Sequence, residues 1–500
     1  MINIMYNKNK NFNSLIKKRY ILCFSLAIFY LLPLLLSGHY YADDLLHSMV
    51  GKTPWISNGR PLSDALLHLL MAGGLLNDIA PLTQIGGAAI LSACIVIVSV
   101  RISKDGILLP IVALFPLICS PFFLENWSFR YDSLAMACAS AAAIIPYAVK
   151  SNSIIKTAAI SCIMLFVSLC FYQAAINEYI AFSAIFFIID VFYGRDEGRY
   201  RELAGRVFGL ILANAIYSIT VKKFMVNGEY NIIHSRLVSG GIHNIFDVVF
   251  RNYIRLSDML FSAFSGVLKI YFIVPVIAVA IFIFVVLFKV FSRGNITIYK
   301  IYDVIIIFSG VIVIYCSAYG PLLLLQNPVF SPRVLVGASA TLSFITVSTY
   351  LLTKNNFVAR WINFMPIIGM FILAYSYYNA QRTTDELELN MISEIKTSIA
   401  LSGNGIKGIA FRGSAPHSLQ SKIAENNFPI IGRIIFNDLN QDFLWGQLKL
   451  KSYGLQVPYL PISNINSDIC QMPISQKFGL YNIRTKNNFM VVDYGINDCK

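Results

Sequence analysis

The sequence predicts a mainly α-helical protein: a polytopic membrane bundle of about eleven transmembrane helices with a small C-terminal α/β domain. Three observations carry that reading. Of 500 residues, 56% are hydrophobic and 13% charged, whereas a soluble chain would carry about a quarter charged. The mean hydropathy is +0.63. Several apolar runs also reach the roughly 20 residues that a helix needs to cross a hydrocarbon core. The net charge of +14 does not point to nucleic acid, because most basic residues fall in short segments between apolar runs, where they set orientation.

The spans are read at 20–37, 82–100, 107–124, 131–149, 157–173, 175–193, 207–224, 267–290, 302–323, 334–353 and 361–378. The first has no small-residue cleavage site and leads into a polar loop, so it reads as a span, not a signal peptide. Lys8, Lys10, Lys17, Lys18 and Arg19 put the N-terminus in the cytoplasm. Alternation then makes the loops at 101–106, 150–156, 194–206, 289–300 and 353–360 cytoplasmic, and each holds at least two Lys or Arg. That agreement depends on residues 62–80 not being a span. Arg60, Asp64 and His68 recur at helical spacing opposite Leu62, Leu66, Leu69 and Leu70, the pattern of a helix lying in the interface. Residues 38–81 are therefore one outer loop within a membrane domain of residues 1–379.

Residues 380–500 have ordinary soluble composition and form the second domain, on the outer side. "TDELELNMISEIKTSIAL" is helix-like, while "GIAFRG", "PIIGRIIF" and "NFMVVDYG" are strand-like. Seven of nine cysteines lie in spans; Cys470 and Cys499 are both in this tail, where an oxidising compartment favours a disulfide between them over two buried thiols.

The notable polar residues gather on the outer side, at Asp43, Asp44, Trp55, Arg60, Glu125, Arg130, Asp132, Gln173, Glu178 and Arg333. Taken singly, each reads as a snorkelling or paired interfacial residue. Taken together, acids and arginines converge on one leaflet from distant loops. That inventory suits a sugar carried on a polyprenyl phosphate. A carboxylate takes the acceptor hydroxyl's proton, and arginine forks stabilise charge on the departing phosphate. Asp44 is the first choice for the base. Asp43, pointing elsewhere, positions a loop or caps a helix beginning at Leu45. Arg60 is the first candidate for the lipid phosphate, with Arg130 and Arg333 beside it; a local Arg130–Asp132 pair is the competing reading. Trp55, Glu125, Asp132, Gln173 and Glu178 are candidates for sugar and acceptor, with helix capping the alternative for Gln173 and Glu178. No Cys/His cluster assigns a metal ligand, and the residues leave a divalent ion open.

"YYADDLLHSMVGKTPWISNGRPLSD", "SFRYDSLAM" and "LCFYQAAINEYI" resemble, in order and spacing, the multi-pass O-antigen glucosyltransferases of the Gtr type, serotype-converting enzymes often carried by bacteriophages. The resemblance implies a GT-C-like membrane fold in the bacterial inner membrane, with the soluble domain periplasmic. It implies inverting transfer of glucose from undecaprenyl-phosphate-glucose to lipid-linked O-antigen repeats. It further implies a donor flippase and donor synthase as partners. No cofactor is expected, the lipid-linked sugar being a substrate. The family's acidic pair falls on Asp43 and Asp44, its Gly-Arg-Pro on Gly59, Arg60 and Pro61, and its Arg-Tyr-Asp on Arg130, Tyr131 and Asp132.

Two other classes compete. A lipid-linked oligosaccharide flippase or transporter would show charged or broken helices near the midplane and internal repeat symmetry, and the sequence shows neither. An O-antigen polymerase would favour a large central outer loop, which 225–266 matches modestly, but the acidic pair directly after the first span counts against it.

Overall fold

A chain in hydrocarbon must satisfy its backbone N–H and C=O groups internally, so apolar runs become helices. The computed structural model describes residues 2–195, 198–292, 298–402, 405–441, 444–465 and 469–495. Among them, eight helices are long and apolar enough to cross a membrane. They are Asn13–Ser37, Leu82–Ile102, Ile154–Phe171, Gln173–Tyr193, Arg199–Met225, Leu268–Ser292, Ile298–Cys316 and Ala359–Leu401. These realise eight of the eleven predicted spans.

The other three are broken or short. The run at 107–124 forms Leu108–Cys119 and Pro121–Ser128, bent by 59°. Pro121 cannot donate a backbone hydrogen bond, and Ser120 caps the second piece by accepting from the Phe122 N–H at 3.2 Å. The run at 131–149 gives the shorter Ser133–Ala148. That at 334–353 gives Gly337–Thr353 after a 3-10 turn at Pro332–Val334. Counting the bent pair as one crossing makes nine, so the sequence-based count of eleven is not reached. The reason is enclosure. Every residue of Pro121–Ser128 is buried, whereas Leu268–Ser292 and Ile298–Cys316 are each only 28% buried over their apolar window. A segment wrapped by protein is released from the length that lipid imposes.

Arginines near the span ends also build the bundle. Arg101 donates to Asp190 at 2.8 Å and to Glu202 at 2.5 Å, and Glu202 also takes Arg206. Buried charges of this kind persist only when paired.

The chain divides into two compact units, Met1–Leu36 with Lys52–Tyr375, and Ser37–Gly51 with Ser376–Lys500. The first part of the predicted outer loop, with the acidic pair, groups with the second unit, and the later boundary falls between residues 375 and 376. The rest of that loop carries the expected surface helix as Pro61–Leu70, in which Leu69 and Leu70 are exposed. The loop at 225–266 also folds. Its helix Ile242–Ser262 exposes Ile242, Phe246, Phe250 and Ile254 at helical spacing, the profile of a second interfacial helix.

The second unit holds a four-stranded sheet of β1 (Gly408–Arg412), β2 (Ile474–Lys477), β3 (Asn482–Lys486) and β4 (Phe489–Asp493), in the order β1-β4-β3-β2. β1 runs parallel to β4, and the other pairs are antiparallel. Alternation in β4 sends Met490 and Val492 to a core with Ile395, Phe411, Leu450 and Ile483, and Val491 to the other face with Ala410 and Met472. The helix-like segment at 384–401 forms as the end of Phe364–Leu401, and two of the three strand-like segments form as β1 and β4. The third, "PIIGRIIF", instead contains the short helix Ile431–Ile434. A brief apolar run has no periodicity to separate a buried strand from a buried helix. The Cys470–Cys499 pairing has one end, Cys499, outside the described residues.

Candidate active site

The Asn58-Gly59-Arg60 turn is where the first unit concentrates polar groups. Gly59 has φ +73°, a left-handed conformation that glycine adopts without steric cost. A Cβ built there would lie 2.5 Å from Tyr217 Oη. Gln173 fastens the turn: its Nε2 donates to the carbonyls of Asn58 at 3.0 Å and Gly59 at 3.1 Å, and to Tyr217 Oη at 2.8 Å. Tyr217 in turn donates to the Gly59 carbonyl at 2.9 Å. The two bring the ends of distant helices onto one loop.

Arg60 stands on this turn with its guanidinium 4.7 Å above the Tyr172 ring. Its contacts with protein oxygen are long. Nε reaches Gln173 Oε1 at 3.3 Å and Nη1 reaches Asp132 Oδ1 at 3.5 Å, both past the usual N–H···O distance. With its side chain 22% exposed, Arg60 is positioned by stacking and only loosely engaged by hydrogen bonds.

Arg333 approaches the same tyrosine from the other side of the chain. The Tyr172 hydroxyl donates to the Arg333 carbonyl at 2.9 Å, and the Arg333 guanidinium lies 4.8 Å over Phe129. Glu125 secures that loop, accepting from Ser331 Oγ at 2.5 and 2.6 Å and from the Arg333 N–H at 2.9 Å. The Arg333 side chain stands 3.8 Å from Glu125 and is 25% exposed. Arg60 thus stacks on the Tyr172 ring, while Arg333 meets that residue through its backbone carbonyl and stacks on Phe129.

The remaining candidates have other partners. Trp55, expected at a sugar, is only 2% exposed among Leu67, Leu76 and Tyr131. Its indole N–H donates to Asp132 Oδ1 at 2.8 Å, since a buried indole needs an acceptor. Arg130 pairs with Asp78 at 2.7 Å, while Asp132 faces Trp55 and Arg60, so the two ends of Arg-Tyr-Asp diverge. Glu178 is fully buried within Gln173–Tyr193 and accepts from the Ser140 hydroxyl, away from the arginines' partners. Sequence reasoning missed Asp78 and Tyr217. Asp78 offered a weak signal, an acid two residues before the Ala80 N–H that it caps at 2.9 Å; Tyr217 sits in an apolar helix and offered none.

The acidic pair lies in the second unit, opening the helix Asp43–Val50. Asp44 is fully buried, with Oδ2 accepting from the Tyr41 N–H at 3.2 Å, whereas Asp43 is half-buried. Ala42, just before them, has φ +46°, a strained setting for a residue with a Cβ. The surrounding unit holds the segment firmly: Tyr41 Oη donates to the Ile434 carbonyl at 2.7 Å, and the Asp43–Val50 helix packs on Trp445–Ser452. On that second helix Lys449 pairs with Asp438 at 2.6 Å. Burial pushes the Asp438 carboxyl above its ordinary range, with Lys449 opposing the shift.

A helical membrane protein with stacked arginines at span ends and an acidic pair after its first span is the class these features define. The family described as glucosyl transferase GtrII matches residues 32–344. The chain belongs to this family. It is also 28% identical over 435 residues to an uncharacterized 55.3 kDa protein in the gtrB 5' region of Salmonella phage P22, covering 85% of this chain and 88% of that one. No solved structure matches.

Gly59→Ala provides a direct test of the turn. The added methyl must displace Tyr217 and adopt a positive φ, moving Arg60. The expected result is a loss of transfer of about 10²-fold, the cost of a misplacement near 1 Å, measured in membranes at matched expression. Activity within twofold of wild type would show that the turn does not position Arg60.

Proposed function

We propose that this membrane protein is an inverting glucosyltransferase that modifies O-antigen, moving glucose from undecaprenyl-phosphate-glucose to a sugar hydroxyl of lipid-linked O-antigen repeats. The observation that carries the reading is Arg60, held by a glycine turn and a tyrosine ring while its hydrogen-bonding edge remains loosely engaged. A guanidinium so placed suits a phosphate, whose oxygens accept its parallel N–H donors. Membership of a glucosyl transferase family supplies the sugar.

In the proposed reaction the acceptor oxygen attacks C1 of the glucose as Asp44 takes its proton. The bond from C1 to the phosphate oxygen breaks, and undecaprenyl phosphate leaves with the electron pair. Arg60 and Arg333 stabilise the charge that gathers on that phosphate. A single displacement of this kind inverts the anomeric centre. Glu125, Trp55 and Gln173 act by positioning: Glu125 on the Arg333 loop, Trp55 on Asp132, and Gln173 on the Arg60 turn. The fold is read as GT-C type in the inner membrane, with the N-terminus cytoplasmic and residues 380–500 periplasmic. The phage relative named for its place beside gtrB fits a set in which a synthase and a flippase supply the donor.

The test is transfer in membranes containing the wild-type chain, supplied with labelled undecaprenyl-phosphate-glucose and lipid-linked O-antigen. Label appearing in the O-antigen with inverted linkage is the expected result. Label remaining in the donor would overturn the assignment, and lengthening of the O-antigen without added glucose would turn it towards a polymerase.

A further inference from the structure

The spans that carry the Arg60 cluster at one end frame a cavity at the other. Thr83, at the start of Leu82–Ile102, donates to the Arg130 carbonyl, and Ser103, just past its end, lines the cavity. Gly337–Thr353 likewise begins shortly after Arg333 and leads into Lys354, a second lining residue. A 21-residue helix spans about 30 Å, so the cavity lies a bilayer's thickness away from Arg60. It has a volume of about 480 Å³.

One wall is rigidly built. Arg19, fully buried, donates to the carbonyls of Ser103 at 3.0 Å, Asp105 at 3.0 Å and Gly106 at 2.8 Å, and to Ser99 Oγ at 2.9 Å. The loop is thereby fixed by a cation that takes no part in the lining. The lining also carries two cations, Lys354 and Arg360. Lys354 Nζ reaches the Tyr193 hydroxyl at 3.1 Å, and Arg360 donates to the Phe357 carbonyl at 3.2 Å with its guanidinium 4.1 Å over the Phe357 ring. Neither of those partners is a carboxylate. The lining holds one acid, Asp105, against these two cations. Beside the cations, Phe357, Val358 and Trp361 are 68%, 76% and 61% exposed, an apolar and aromatic rim of the kind that sits at headgroup level.

We propose that this cavity binds the headgroup of an anionic glycerophospholipid of the adjacent leaflet. The phosphate sits between Lys354 and Arg360, and the acyl chains run past Trp361 and Leu108. Basic pockets among span ends are suited to anionic lipid headgroups. The rim distinguishes such a lipid from free phosphate, which would use the cations and leave the apolar residues idle. The positive lining distinguishes it from a zwitterionic lipid, whose own cation would be repelled.

Native mass spectrometry of the full chain would test this, released from nanodiscs containing equal amounts of phosphatidylglycerol and phosphatidylcholine. Wild-type protein is expected to retain phosphatidylglycerol roughly tenfold over phosphatidylcholine. The double variant Lys354→Gln, Arg360→Gln should bring that ratio close to one while keeping phosphatidylcholine adducts, which report an intact fold. A ratio near one in the wild type would overturn the proposal, whatever the variant does. So would an unchanged ratio in the variant, or displacement of the lipid by millimolar inorganic phosphate, which would mark a free-anion site.

Discussion

Arg60→Ala is expected to lower glucosyl transfer by roughly 10²–10³-fold, the usual cost of removing one preorganised donor to a developing oxyanion. The size of this effect follows from where the side chain stands. Its stacking on Tyr172 places the guanidinium without consuming its donors, and its contacts to Gln173 and Asp132 are at the weak limit of hydrogen bonding. Little fold stability should be lost with it, because long, partly exposed contacts contribute little. Arg60→Lys keeps the charge but loses the planar fork, so it should recover only part of the activity. Arg130→Ala makes the useful contrast. Arg130 is tied to Asp78 at 2.7 Å, and its loss should show mainly as reduced folded protein. The measurement is initial rate against donor concentration in membranes, normalised to folded enzyme. Arg60→Ala retaining a third or more of wild-type activity would remove this arginine from the reaction.

How much of this was legible beforehand depends on the range of the forces involved. The eight long spans were legible because lipid imposes a length and a composition on each segment by itself. Pro121–Ser128 and Gly337–Thr353 were less so. They are enclosed by neighbours, and Pro121 breaks one of the two runs where a hydropathy reading stays continuous. The Gly-Arg-Pro turn was recognisable as a motif, but nothing local in the chain shows that Gln173 and Tyr217 fasten it. Arg130 and Asp132, two residues apart, invited a local pair. The chain direction at Tyr131 sends them to Asp78 and Trp55 instead. Least legible was the allegiance of residues 37–51. The bond from Tyr41 to Ile434 closes a separation of 393 residues, and no pattern within either segment announces it. The Ile242–Ser262 helix, by contrast, was available in the sequence through its apolar residues at 242, 246, 250 and 254.

The acidic pair yields the second large effect. Asp44→Asn is expected to reduce transfer by about 10²–10⁴-fold, the range for loss of a general base, with donor binding retained. Asp43→Asn should cost less than about tenfold. The two residues are adjacent and chemically identical, so the difference must come from their setting. Asp44 is buried, with one oxygen anchored by the Tyr41 N–H, behind an alanine held at positive φ. Asp43 is half-buried. Strain of this kind persists only where surrounding structure enforces it, and here the enforcement comes from the unit that grips Tyr41 and the Asp43–Val50 helix. Asparagine preserves the shape of Asp44 and can still accept from Tyr41, but it cannot take a proton. A base should therefore show as a fall in the rate of the bound complex with little change in donor affinity, whereas a purely structural carboxylate would show as loss of folded protein. Single-turnover rate and labelled-donor binding, measured on the same membranes, separate these two outcomes. Should Asp43→Asn be the inactive variant and Asp44→Asn the active one, the base moves by one residue, and the buried carboxylate becomes the group that holds the strained turn in place.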